Sequence, residues 1–175
     1  FRHIRGKLDE ANLSLGKERG EAPDAKGHGF RFSHVMAIAP NASSSIIMGN
    51  TSPSIEPWRA NAYRQDTLSG AYLNKNKFLD GIIKEYCEKH PRTLYDEVWS
   101  SIISNDGSVQ HLTQLTDVQK SIYKTSMEID QRWLIEHAAD RQIYVDQAQS
   151  LNLFFRPDTH ISYLHAVHFL SLIHI

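Results

Sequence analysis

Residues 37–49 read Ala37-Ile38-Ala39-Pro40-Asn41-Ala42-Ser43-Ser44-Ser45-Ile46-Ile47-Met48-Gly49, and the parsing of this stretch decides the fold. The run Phe30 to Ala39 lacks the polar faces of a helix and stops at Pro40, which predicts a buried strand over 33–39. Pro40 to Ser45 are turn and capping residue types, Ile46-Ile47-Met48 restart an apolar face, and Gly49 ends it. The order is strand, polar turn, short helix. The first N–H groups of any helix lack intrahelical partners, so a helix that opens on Asn41, Ala42, Ser43 and Ser44 suits a phosphate or another anion. The same spelling also fits an Asn41 or Ser43 that merely caps the helix, and spacing alone leaves both readings open.

Working outward, Leu8, Ala11, Asn12 and Leu15 stand at helical spacing before Gly20, which predicts a short N-terminal helix and then a loop to about Gly29. Residues 59–77 carry Ser69-Gly70 between two polar and aromatic segments, a two-stranded excursion bearing Tyr63 and Tyr72. Phe78, Leu79, Ile82, Ile83, Tyr86 and Cys87, then Leu94, Tyr95, Val98, Trp99, Ile102 and Ile103, each mark one face of a helix, the two being separated at His90-Pro91. Leu112, Leu115, Val118, Ile122, Ile129 and Trp133 predict one long helix over about 116–141, with Thr116 as its N-cap. Ser150 to Phe155 is a strand candidate ended by Pro157, and Ile161, Leu164, His165, His168 and Phe169 predict a final helix from about Thr159.

The 175 residues are 41% hydrophobic and 22% charged, with 9 Gly and 6 Pro, a globular composition that excludes collagen-like and mainly disordered classes. Nineteen basic against 20 acidic side chains give a net charge of −1, so there is no basic excess for a nucleic-acid backbone or an anionic membrane. No apolar run reaches the ~18 residues of a spanning helix. The single cysteine, Cys87, excludes an internal disulfide and a cysteine-rich zinc site and fits a reducing, cytoplasmic setting. It falls on an apolar helix stripe, which reads as packing. His165 and His168 share a helix face, with His160 nearby, but no carboxylate or thiol stands at matching spacing, so no metal site is assigned. Gly27-His28-Gly29 lacks a dinucleotide loop's third glycine. Glu136, Asp140 and Asp146 read as a solvated face, whereas Glu56, between Ile55 and Pro57, could hold a loop through backbone N–H groups.

Three blocks carry a resemblance: Ala37 through Trp58, Asn105-Asp106-Gly107-Ser108-Val109-Gln110, and Ala138 through Asn152 (AADRQIYVDQAQSLN). In this order and spacing the chain resembles the large (alpha) subunit of class I ribonucleotide reductase, in the C-terminal part of its catalytic barrel. The resemblance implies an α/β fold, a helix-rich fragment of a ten-stranded α/β barrel, over residues 1–170. Residues 171–175 depart from the family's continuation and read as a non-native tail. It implies radical-based reduction of ribonucleoside diphosphates to deoxyribonucleoside diphosphates for DNA synthesis, with Pro40, Asn41, Ala42, Ser43 and Ser44 on the substrate's diphosphate and Ser45 a weaker candidate. None of the family's catalytic cysteines matches Cys87, so no catalytic residue is assigned and the fragment alone is expected to be inactive. The implied partners are the substrate, the rest of the large subunit and a small subunit with a radical-generating metal cofactor. A thioredoxin- or glutaredoxin-type reductant is implied as well, and neither nucleic acid nor membrane. An adenosylcobalamin-dependent relative of the same fold fits the wording less well. The alternative of another class is a freestanding helical interaction module without catalysis.

Overall fold

A computed structural model describes residues 1–49, 52–68 and 70–174. Asn50 and Thr51 of the first block, Ser69 of the expected turn and Ile175 of the expected tail lie outside the described residues. In chain order the elements are α1 (Arg2–Arg19), a 3-10 turn (Pro23–Ala25), α2 (Ala42–Ile47), β1 (Ala62–Thr67), β2 (Gly70–Lys75), α3 (Lys77–Lys89), α4 (Tyr95–Ser104), α5 (Asp117–Ile122), a second 3-10 turn (Ser126–Glu128), α6 (Arg132–Gln142) and α7 (Ile161–His174). They fall into two units: residues 57–130, and residues 1–56 together with 131–175.

The contiguous unit follows the sequence closely. β1 and β2 form an antiparallel hairpin with Tyr63 opposite Asn74 and Gln65 opposite Tyr72. Asn76 caps α3 by accepting from the Phe78 and Leu79 N–H groups, and the apolar stripes of α3 and α4 meet in a core of Leu79, Ile83, Val98, Trp99, Ile102, Val109, Leu112 and Leu115. Cys87 packs half-buried against this core, as its stripe position implied. The expected long helix over 116–141 is broken instead. Thr116 does cap α5, but a second capping box, Thr125 with Glu128, opens a new turn there, and α6 begins only at Arg132. The stripe assigned to that helix divides: Leu112 and Leu115, ahead of α5, join the core, whereas Val118, Ile122 and Trp133 are exposed.

In the discontinuous unit α1 ends at Gly20 (φ 83), as expected. Gly16 on α1 lies so close to the following loop that a Cβ there would fall 2.0 Å from the Gly29 carbonyl oxygen. α6 and α7 pack on each other, burying Leu134, Ile135, Ala138 and Val167.

The buried strand expected over 33–39 is absent. Residues 33–39 are extended but none is fully buried, and among the described residues their one ladder contact is a parallel bridge between Ile38 and Gln149. The strand candidate Ser150–Phe155 is likewise extended without joining a ladder. Side chains bond backbone groups in and beside these segments. Asn12 makes a reciprocal pair with Phe32, accepting its N–H at 2.8 Å and donating to its carbonyl at 2.9 Å. Asp146 accepts the N–H groups of both Val35 and Met36 at 3.0 Å and pairs with Arg5 at 3.1 Å. It therefore belongs to the frame, contrary to the solvated face expected of it.

This gives Asp146 a pH signature. Burial pushes its carboxyl up, but the Met36 and Val35 N–H groups and the Arg5 guanidinium outweigh that and hold it below the ordinary carboxylate range. A depressed value in the folded state means stability that is complete above the unfolded value, about pH 4, and lost as pH falls through the folded one. Asp146→Asn should thus lower stability by about 1–2 kcal/mol near neutrality. Thermal unfolding followed from about pH 7 down to about pH 2 should show the two proteins converging below about pH 4.

Candidate anion-binding turn

The turn is built as its residue types require. The Asn41 carbonyl accepts the Ser45 N–H at 2.8 Å, which starts α2 at Ala42, and the Asn41 N–H donates to the Pro53 carbonyl at 2.8 Å. Pro40, Asn41, Ala42, Ser43 and Ser44 are all exposed. Among the described residues none accepts from the N–H groups of Ala42, Ser43 or Ser44. These donors and the two hydroxyls sit at the positive end of a helical turn, where a negative group is favoured. Ser45 differs, being 5% exposed with its hydroxyl donating to the Ala42 carbonyl at 2.7 Å, so it serves the turn from inside. Of the apolar face expected after it, Ile47 and Met48 are exposed. Gly49, at φ 86, adopts the left-handed conformation expected of the residue that ends the helix.

Behind the turn, residues 52–56 connect it to the second extended segment. The Ser52 hydroxyl donates to the Glu56 carbonyl at 2.7 Å. The Glu56 carboxylate, 3% exposed, accepts the Asn152 N–H through Oε1, which is the loop-holding role its sequence position suggested. The Phe154 N–H donates to the buried Gln131 Oε1 at 2.8 Å, and the Gln131 N–H donates to the Tyr163 hydroxyl at 2.7 Å. Arg141 donates through Nε to Gln149 Oε1 at 3.2 Å. Burial holds its guanidinium below its ordinary value, against the opposing pull of the Glu56 and Asp140 carboxylates. The sequence reading missed Gln131 and Asp146, because a lone Gln or Asp gives no local sign that its acceptor serves a backbone N–H more than 20 residues away.

The other candidates take structural places. His168 donates through Nδ1 to the Leu164 carbonyl and stacks on Phe155, while His165 stacks on Phe169. Among the described residues no three His, Cys, Asp or Glu side chains are grouped to hold a metal ion, and no helix is long and apolar enough to cross a membrane.

Two extended segments bridged in parallel, with a hydroxyl-bearing turn leading from the first into a helix, have the arrangement of a parallel α/β fold. The family model for the ribonucleotide reductase barrel domain matches residues 18–172. The chain is 55% identical over 170 residues to the ribonucleoside-diphosphate reductase large subunit of Invertebrate iridescent virus 6, covering 96% of this chain and 17% of that protein. With the corresponding protein of Invertebrate iridescent virus 3 it shares 53% over 174 residues, covering 99% of this chain and 27% of that one. Its structure is similar to the Actinobacillus ureae class Id ribonucleotide reductase alpha subunit, with a TM-score of 0.83 and 40% identity over 97% of this chain and 30% of that one. The chain belongs to the ribonucleotide reductase barrel-domain family. It spans between 17% and 27% of the length of the two viral relatives.

Proposed function

We propose that the chain is the diphosphate-gripping segment of a ribonucleoside-diphosphate reductase large subunit, which exchanges the ribose 2′-hydroxyl for hydrogen by a radical route. The observation that carries this reading is the turn itself. In a chain of this family, Ala42, Ser43 and Ser44 present exposed N–H groups without acceptors among the described residues, and two exposed serines stand beside them. A diphosphate placed there accepts from the backbone and from the Ser43 and Ser44 hydroxyls, and charge-assisted bonds of this kind outweigh neutral ones. Pro40 sets the approach of the chain and Asn41 anchors the turn at both its N–H and its carbonyl. The chain's own work is binding and orientation. The radical and thiol steps fall to the rest of the large subunit, a small subunit with a metal cofactor and a thiol reductant, in a reducing cytoplasm. Cys87 takes no part, being packed on the core of residues 57–130.

Ser43→Ala combined with Ser44→Ala, in the full-length large subunit carrying this segment, should raise KM for a nucleoside diphosphate about tenfold, equivalent to ~1.4 kcal/mol. The backbone donors remain, so binding should weaken without vanishing, and the unfolding midpoint should stay unchanged because both hydroxyls are exposed. An unaltered KM in the double variant removes the role from this turn.

A further inference from the structure

Residues 150–155 are extended, and their alternate N–H groups reach three different acceptors: the Ile38 carbonyl for Ser150 at 2.8 Å, the Glu56 carboxylate for Asn152, and Gln131 Oε1 for Phe154 at 2.8 Å. Two of these acceptors are buried side chains, where a neighbouring strand would have offered carbonyls. Burying a carboxylate is costly unless its bonds repay it. Glu56 is 3% exposed, and its Oε2 has no hydrogen-bond partner among the described residues. A residue needed only to fill this space would be apolar, so the acceptor on Oε1 is the feature that accounts for a polar side chain here.

Three hydrogen bonds connect this acceptor to the anion turn. Asn152 donates to the Glu56 carboxylate, Ser52 closes residues 52–56 on the Glu56 carbonyl, and Pro53 within that closed segment accepts the Asn41 N–H. We infer that Glu56 is a positioning residue for the diphosphate turn: by clasping the Asn152 N–H it fixes the 52–56 segment from which Asn41, and hence the donors of residues 42–44, are hung. The inference rests on the proposed reading of that turn. It assigns Glu56 no contact with substrate, and its effect is on the placement of donors that touch the diphosphate.

The test compares Glu56→Ala and Glu56→Gln with the double serine variant in the full-length large subunit, assayed together with its small subunit. Glu56→Ala should raise KM for a nucleoside diphosphate about tenfold with kcat within about twofold of the parent, since uniform binding is lost while the chemistry is untouched. Amide hydrogen exchange over residues 150–155 should accelerate in the same variant. Glu56→Gln keeps an acceptor oxygen and should restore both KM and exchange to near the parent. Should Glu56→Ala fail to fold, Glu56→Asp, one methylene too short to reach Asn152, carries the same comparison. An unmoved KM in the Glu56 variants beside a raised KM in the double serine variant overturns this inference and leaves the turn's role standing. Glutamine as damaging as alanine overturns it as well, because charge and not the acceptor would then be what matters. If neither the serine nor the Glu56 variants move KM, the turn's role and this inference fall together.

Discussion

Valine at position 107 is expected to abolish cooperative folding of residues 57–130. Gly107 sits at φ 78, directly after Asp106 at φ 54, so two consecutive left-handed residues turn the chain out of α4. The Gly107 N–H closes that helix on the Ile102 carbonyl at 2.9 Å, and the Gly107 carbonyl accepts the Asn61 N–H at 3.1 Å. A Cβ at this position would lie 2.4 Å from the Ala60 Cβ, 2.7 Å from the Ala60 Cα and 2.9 Å from the Asn61 nitrogen. Two of these three atoms are backbone, so no side-chain rotation relieves the clash. The left-handed conformation alone costs a non-glycine residue about 1–3 kcal/mol, and the overlap adds to it. Against a total stability of about 5–15 kcal/mol this is a large fraction. Urea unfolding followed by circular dichroism checks it: the transition should be lost or shifted by several kcal/mol, and a Gly107→Val protein with the parent's midpoint would contradict the account of this turn.

Asn61→Leu should cost nearly as much, for a different reason. Asn61 is 3% exposed, and its Nδ2 donates to the Gly107 carbonyl at 3.0 Å and the Tyr123 carbonyl at 2.8 Å, while its Oδ1 accepts from Asn76 at 3.0 Å. Leucine matches the volume but leaves the Tyr123 carbonyl and the Asn76 amide without this partner. Each stranded group costs about 1–3 kcal/mol, so about 2–6 kcal/mol is expected for the two in the same urea experiment. Asn76 also caps α3, so its displacement should shorten that helix in hydrogen exchange. Because Gly107 and Asn61 touch, the double variant should be less unstable than the two single losses added together. Strict additivity would argue that the two residues act independently.

The legible parts of the sequence were those whose partners are near in the chain. α1, α3, α4 and the hairpin announce themselves through periodicity, capping residues and Gly20 or Gly70, and Glu56 could be singled out because a carboxylate between Ile55 and Pro57 has few other uses. Segments 33–39 and 150–155 were misread as strands because apolar composition reports extension but not what occupies the neighbouring hydrogen-bonding row. Here side chains accept from the segments instead, Asp146 at Val35 and Met36, Glu56 at Asn152 and Gln131 at Phe154. The long helix over 116–141 was misread because its stripe was followed past Thr125-Ser126-Met127-Glu128, which has the spelling of a capping box and was itself a local signal for a new start. At the anion turn, sequence supplied the residues and the resemblance supplied their role. What spacing could not decide was the fate of Ser45, whose hydroxyl is turned back onto the Ala42 carbonyl while Ser43 and Ser44 remain exposed.

The acceptors that frame the turn also set an order of assembly. Val35 and Met36 are separated from Asp146 by 111 and 110 positions, and Glu56 from Asn152 by 96. Contacts so distant along the chain carry the largest loop-closure entropy and form slowly. Residues 57–130, continuous between these partners, acquire their own hairpin and helices from neighbours already synthesised. On a ribosome, therefore, residues 57–130 mature while residues 1–56 wait, and the hydroxyl-bearing bend gains its scaffold only when Asp146 and Asn152 leave the exit tunnel.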